Sequence, residues 1–237
     1  MEQIVLKNVY KTYKMGDVKT KALNDIDLTI SKGEVIIILG ASGSGKTTLL
    51  NCISGLDKID KKKGSYIKYE DKIISKYSDY RMTKFRKKNL GFIFQTYNLL
   101  ENLNVEENVL VGSKLGKHKN NIDDIIETVG LSKQKKQHVS NLSGGERQRV
   151  SIARALAKMP KVMFCDEPTG ALDEKTGKKV LTSLIEANEK YDVTLVIVTH
   201  NPGIALIGDR VIKMNSGKVM EIIENKERMN PKDIPWG

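Results

Sequence analysis

The stretch Gly40-Ala41-Ser42-Gly43-Ser44-Gly45-Lys46-Thr47 decides how the rest of the chain is read. It follows a short, wholly apolar run, Val35-Ile36-Ile37-Ile38-Leu39, and opens into the helix-compatible segment Thr48-Leu49-Leu50-Asn51-Cys52-Ile53. Strand, glycine-rich turn and helix stand in the order that the pattern G-x-x-x-x-G-K-[ST] requires. Glycines at its first and sixth positions let successive backbone N–H groups converge on one anion, and the helix N-terminus adds the positive end of its dipole. Lys46 brings a point charge to the β- and γ-phosphates, and the Thr47 hydroxyl can sit on Mg²⁺. A chance Lys-Thr after a glycine-rich turn would lack this flanking strand and helix. Residues Gly40 to Thr48 are therefore expected to bind a nucleoside triphosphate.

Working outward, 237 residues with 39% hydrophobic content suit one large domain with a sizeable core. No run approaches the roughly 18 apolar residues of a membrane span, and Met1-Glu2-Gln3-Ile4-Val5-Leu6 lacks the regions of a signal peptide. The expected compartment is the cytosol. Cys52 and Cys165 each lie in an apolar stretch beside a nucleotide motif, so they are expected to be buried and reduced. The net charge of +11 concentrates between Asp57 and Lys88, with twelve Lys or Arg against five Asp or Glu. No aromatic interleaving or recognition motif accompanies this excess, so nucleic acid is not an expected partner.

The coarse pattern is α/β. Residues 3–10 and 23–30 alternate as strands, with a loop carrying Tyr13 between them. After the phosphate-loop helix come strand-like pieces at Tyr66–Tyr69 and Ile73–Ile74, a basic exposed helix from Asp79 to Asn89, and a strand, Leu90-Gly91-Phe92-Ile93-Phe94, ending at Gln95. From Thr96 to about Val139 the pattern turns helical, with an N-cap at Asn104 and Glu107 three residues on. Gly112 to Asn121 reads as a lysine-rich loop, and residues 122–131 as a helix stopped at Gly130. The α/β rhythm resumes with Val162 to Cys165, a helix from Glu174 to Glu189, the strand Val193 to Val198, and two shorter strands at Arg210–Met214 and Lys218–Ile223. The charged tail from Glu224, with Pro231 and Pro235, is expected to bury little beyond Trp236.

Two further constellations refine the phosphate loop. The strand Val162–Cys165 delivers Asp166 and Glu167 at its C-terminal end, where α/β sheets bind ligands. Asp166 is placed to hold Mg²⁺ opposite Thr47, and Glu167 to polarise an attacking water beside the γ-phosphate. Adjacent acids after a strand are often only a helix cap, but behind a phosphate loop in the same sheet that reading weakens. The run Asn141-Leu142-Ser143-Gly144-Gly145-Glu146-Arg147-Gln148-Arg149 then offers a second anion-binding helix start, with Ser143 as cap and exposed amides at Gly144 and Gly145.

With these motifs in order, the chain over residues 3–223 resembles the ATP-binding subunit of ABC transporters. The resemblance implies a P-loop ATPase core with an N-terminal antiparallel β subdomain and a helical subdomain inserted at about 96–158, in one domain over residues 1–223 followed by a tail, 224–237. It implies ATP and Mg²⁺, and a head-to-tail dimer, a homodimer by expectation, in which Ser143, Gly144, Gly145 and Glu146 of one subunit close over the γ-phosphate held by the other. Tyr13 matches the aromatic that stacks on adenine. Gln95 matches the glutamine that touches Mg²⁺ and the water and couples to the membrane partner. Ala171-Leu172-Asp173 matches the segment that crosses the dimer interface, and His200 the γ-phosphate-contacting histidine; His118 and His138 match nothing. On this reading Glu167, His200, Lys46 and Gln95 are catalytic, and Thr47, Gln95 and Asp166 face the metal. The partner is a separately encoded membrane permease, which holds the subunit at the inner face of the cell membrane. The motifs K-T-Y-K-M-G, G-A-S-G-S-G-K-T-T-L-L-N, F-I-F-Q-T-Y-N-L-L and D-E-P-T-G-A-L-D resemble the branch that powers lipoprotein release, macrolide export and bacitracin-type peptide resistance. The alternatives are a regulatory ATPase gating a permease-like protein for signalling or cell-wall hydrolysis and, behind it, a nucleic-acid-linked ATPase of the same superfamily. One departure is that Gly112 to Ile122 is shorter than that branch carries.

Overall fold

Apolar runs in a parallel sheet must be covered on both faces, and the computed structural model, which describes residues 1–116 and 121–236, shows how that is done. Two long antiparallel strands come first, β1 (Glu2–Met15) and β2 (Val18–Ser31), followed by β3 (Val35–Leu39) and the phosphate-loop helix α1 (Lys46–Ile53). Then come β4 (Tyr66–Tyr69), β5 (Lys72–Ile73), α2 (Asp79–Asn89) and β6 (Leu90–Ile93). Three helices follow, α3 (Val105–Leu115), α4 (Ile122–Thr128) and α5 (Gly144–Leu156). The chain closes with β7 (Val162–Asp166), α6 (Glu174–Tyr191), β8 (Thr194–Thr199), β9 (Arg210–Asn215) and β10 (Lys218–Glu224).

The strands form a four-stranded sheet in the order β2-β1-β4-β5 and a six-stranded sheet in the order β10-β9-β3-β8-β7-β6. In the second, β9, β3, β8, β7 and β6 run parallel, and β10 adds an antiparallel edge. Side chains alternate across a strand, so β3 feeds two cores. Ile36 and Ile38 pack with the antiparallel sheet, α1 and α2. Val35 and Ile37 pack with α3, α4, α5 and α6. All four are fully buried. The parallel arrangement points the C-terminal ends of β3, β7 and β8 the same way, which gathers Gly40, Asp166 and His200 at one edge.

Four expectations are corrected. The N-terminal strands continue through the presumed loop, and Tyr13 is a strand residue paired with Thr20, because alternation of polar residues suits a two-sided edge ribbon as well as a loop. Helix α3 extends to Leu115, so Gly112 to Leu115 is helical. The rest of that presumed loop, including His118, falls largely on residues 117–120, outside the described residues, as does part of the shortened stretch. Helix α4 ends at Thr128, and Gly130 takes a left-handed φ of 65° two residues later. Finally, the tail docks. Ile234 is 1% exposed, Met229 N–H donates to the Leu206 carbonyl (2.8 Å), and the Trp236 ring covers Gly177 on α6. Arg228 anchors it further through Asn188 Oδ1 (2.9 Å) and the Glu189 and Asp209 carboxylates.

Other features stand as expected. Asn104 caps α3 with a reciprocal bond to Glu107, and both cysteines are free and buried. The basic helix α2 exposes its charges while burying Met82, Phe85 and Asn89. Among the described residues no helix is long and apolar enough to cross a membrane.

Candidate active site

The loop between β3 and α1 is shaped by its glycines and by what leans on it. Gly45 holds φ at 99° and any Cβ there would overlap the Ala22 carbonyl, so the position admits only glycine. Gly217, in the turn between β9 and β10, donates its N–H to the Ser44 carbonyl (3.0 Å) and its own carbonyl accepts from Asn24 (2.8 Å). The loop is thus fastened to β2 and to a hairpin from the far end of the chain. Lys46 is buried and donates to the carbonyls of Gly40 (2.8 Å) and Ala41 (2.9 Å), so its ammonium lies folded within the loop. The Ser44 hydroxyl is buried with no hydrogen-bond partner, a donor that a phosphate oxygen would satisfy.

Opposite the loop, Thr47 Oγ1 lies 3.2 Å from Asp166 Oδ1. Burial pushes the Asp166 carboxyl above the ordinary carboxylate range, and the neighbouring Glu167 charge adds to it against the Thr47 hydroxyl and Lys46. A bound cation would reverse both costs. Glu167 takes a left-handed φ of 48° with its N–H on the Val198 carbonyl (3.0 Å), and its Oε1 meets His200 Nδ1 at 2.9 Å. Gln95 lies beside Gly170, where an added Cβ would come within 3.1 Å of its amide nitrogen.

One cleft of about 820 Å³ is lined by Ala41, Ser42, Gly43, Gly45, Lys46, Thr47, Thr48, Gln95, Glu167 and His200, together with Thr20, Lys21, Ala22, Ser216 and Gly217. The last five escaped the sequence reading, because they come from β2 and the β9–β10 turn and carry no motif. Tyr13 stands at its rim, across from Thr20 and beside the Thr48 side chain.

Ser143 to Glu146 do not line this cleft. Ser143 caps α5 with a reciprocal bond, its hydroxyl and N–H both on Glu146 Oε2 (2.7 and 2.9 Å). These bonds hold the Glu146 carboxyl below the usual range. Gly144 and Gly145 allow a close approach, since a Cβ on Gly145 would overlap the Thr176 methyl of α6.

A phosphate loop facing an acidic strand end in a parallel sheet defines a P-loop nucleoside-triphosphatase fold. The family model described as ABC transporter matches residues 23–170. The bacitracin export ATP-binding protein BceA of Halalkalibacterium halodurans is 42% identical over 217 residues, 90% of this chain and 85% of its own length. A Mycoplasma pneumoniae protein named as an ABC transporter ATP-binding protein is 44% identical over 236 residues, 98% of this chain, which spans about half (50%) of that relative's length. Among solved structures, the dimeric cassette MJ0796, in a post-hydrolysis state bound to ADP and Pi, matches with a TM-score of 0.81 and 36% identity, over 93% of this chain and 98% of its own. The chain belongs to the ABC transporter ATP-binding proteins, and its fold is that of an ABC ATPase cassette.

Proposed function

We propose that this chain is the ATP-binding and ATP-hydrolysing subunit of an ABC transporter, working as a dimer around two ATPs to drive a separate membrane permease. The observation that carries the reading is the convergence of Lys46, Thr47, Asp166, Glu167 and His200 on one cleft edge, from three strands. The cassette spans residues 1–223, with residues 96–158 as its helical insertion. On binding the triphosphate, Lys46 exchanges its two loop carbonyls for phosphate oxygens, and the loop amides and Ser44 complete the cradle. Thr47, Asp166 and Gln95 would hold Mg²⁺, which neutralises charge on the β- and γ-phosphates when bound. Glu167 accepts the proton of a water that attacks the γ-phosphorus as the bond to the ADP oxygen breaks, and His200 orients Glu167 and contacts the γ-phosphate.

The Ser143 helix start lies outside the cleft, so its first-turn amides at Gly144 and Gly145 would serve the nucleotide of a second subunit. The dimeric form of MJ0796 supports that arrangement. The likeness to BceA supports a bacterial exporter moving or extracting a peptide, lipoprotein or antibiotic, with the subunit peripheral to the cell membrane through its permease. Glu167→Gln tests the mechanism. The variant is expected to retain ATP binding, to accumulate as an ATP-bound dimer on size exclusion, and to lose nearly all phosphate release. Turnover close to the parent's would remove Glu167 from the role of base.

A further inference from the structure

Asp57, which no motif includes, sits where it can fix the geometry of base recognition. Its Oδ2 accepts the Tyr13 phenol (2.7 Å), and its Oδ1 accepts Lys11 Nζ (2.6 Å) and the Lys58 N–H (2.7 Å), so both carboxylate oxygens are engaged. Lys11 Nζ also lies 4.8 Å from the centre of the Tyr13 ring and donates to the Lys58 carbonyl (2.8 Å). A second clamp follows three residues on, where Asp60 accepts the Thr12 N–H (3.2 Å) and hydroxyl (2.8 Å) and gives its own N–H to the Tyr10 carbonyl (2.8 Å). The segment 57–60 therefore runs as a rail along residues 10–13 of β1.

The rail is tied to the phosphate loop by a rigid element. Helix α1 begins at Lys46 and ends at Ile53, and the turn after it is closed by the N–H groups of Leu56 (2.9 Å) and Asp57 (3.1 Å) on the Asn51 carbonyl. One end of α1 thus presents the triphosphate cradle and the other presents Asp57, which holds the ring. Burial would raise the Asp57 carboxyl, but the bonds from Lys11 and Tyr13 outweigh it and keep it ionised. Burial and the Asp57 bond push the Tyr13 phenol up to about 12, so it remains a neutral donor. With the cation near the ring and the hydroxyl tied down, the ring is held in one orientation at the cleft rim.

We infer that Asp57 is a positioning residue for the nucleotide base: acting through Tyr13, it sets the ring at a fixed reach from the phosphate loop and so contributes to affinity for a purine nucleotide over a bare polyphosphate. The inference rests on the reading that Tyr13 stacks on the base, and three variants separate the two. Tyr13→Phe removes the phenol–carboxylate bond while keeping the ring, and Asp57→Asn weakens it by removing the charge and leaving one amide oxygen where two carboxylate oxygens served Tyr13, Lys11 and the Lys58 N–H. Each is expected to raise the ATP KM about three- to tenfold, the range for losing one hydrogen bond of ordinary net strength. The two effects should fall short of additive in the double variant, since both act on the phenol bond. Binding of inorganic tripolyphosphate, measured by calorimetry, should stay unchanged in Asp57→Asn, whereas general damage to the fold would weaken both ligands together. Tyr13→Ala tests the underlying reading. If it leaves ATP binding intact, stacking by Tyr13 is wrong and the inference falls with it. If Tyr13→Ala weakens ATP while Asp57→Asn and Tyr13→Phe do not, or if Asp57→Asn weakens tripolyphosphate equally, stacking stands and the positioning role of Asp57 is overturned.

Discussion

At the scale of single residues, the most informative positions are those serving two demands at once. Gly145 belongs to the helix start that would meet a partner's nucleotide, yet within this chain it is also the point where α5 touches Thr176 of α6. Gly→Ala inside a helix ordinarily stabilises by about 0.5–1 kcal/mol. Here the added methyl meets a β-branched side chain with little rotamer freedom. Gly145→Ala is therefore expected to destabilise by about 1–3 kcal/mol, as overpacking does, seen as a lower urea midpoint at unchanged slope. The residues of the phosphate loop and acidic pair were legible in the sequence because their chemistry demands fixed spacing after a strand, as in Gly40 to Thr47 and Asp166-Glu167. Asp57, Ala22 and Gly217 were not, because each acts through a contact with residues distant in sequence, and no local pattern announces such a contact.

At the scale of elements, strongly periodic segments matched their reading, as α6 did within two residues at its C-terminal end, while ambiguous polar ones did not. The Lys-Thr-Tyr-Lys-Met run reads as a loop in the sequence because a two-stranded ribbon has no buried face to impose strict alternation. The junction of α2 with the end of α5 yields a pH prediction. Lys158 follows α5 and its Nζ reaches the Arg86 carbonyl near the end of α2 (3.3 Å). Burial pushes its ammonium down to about 8 from an ordinary 10.5. Between about 8 and 10.5 the unfolded chain holds a proton that the folded chain has released, so stability rises with pH across that window. Below about 8 both states carry the proton and the cost of the buried charge is present in full. Lys158→Met should flatten the rise and leave the protein more stable at pH 7, as read from urea midpoints at pH 7 and pH 10. A variant that keeps the parent's slope would assign the rise to another group.

At the scale of the whole molecule, the sheet order explains why the site was only partly readable. Individual strands were visible as apolar runs, but nothing local states that β3 lies between β8 and β9, or that the tail returns to cover α6. That order has a consequence in time. Residues 35–39 pair with 195–199 and residues 36–39 with 210–213, so the central strand finds its neighbours only after most of the chain has collapsed around it. Long-range parallel pairing is slow, because loop closure opposes it before the contacts form. Asp166 reaches Thr47 only once β7 has paired with β8 and β8 with β3, and His200 reaches Glu167 through the β7–β8 pairing. Nucleotide therefore has no complete surface to recognise during the climb to the folding barrier. At a hundred times its Kd, ATP should slow unfolding about a hundredfold and leave the refolding rate in dilute urea unchanged, which stopped-flow chevrons with and without nucleotide would show. Faster refolding with ATP would mean that the cradle forms early. The nucleotide thus acts as a latch on a finished molecule, prolonging the life of the folded state without guiding the chain toward it.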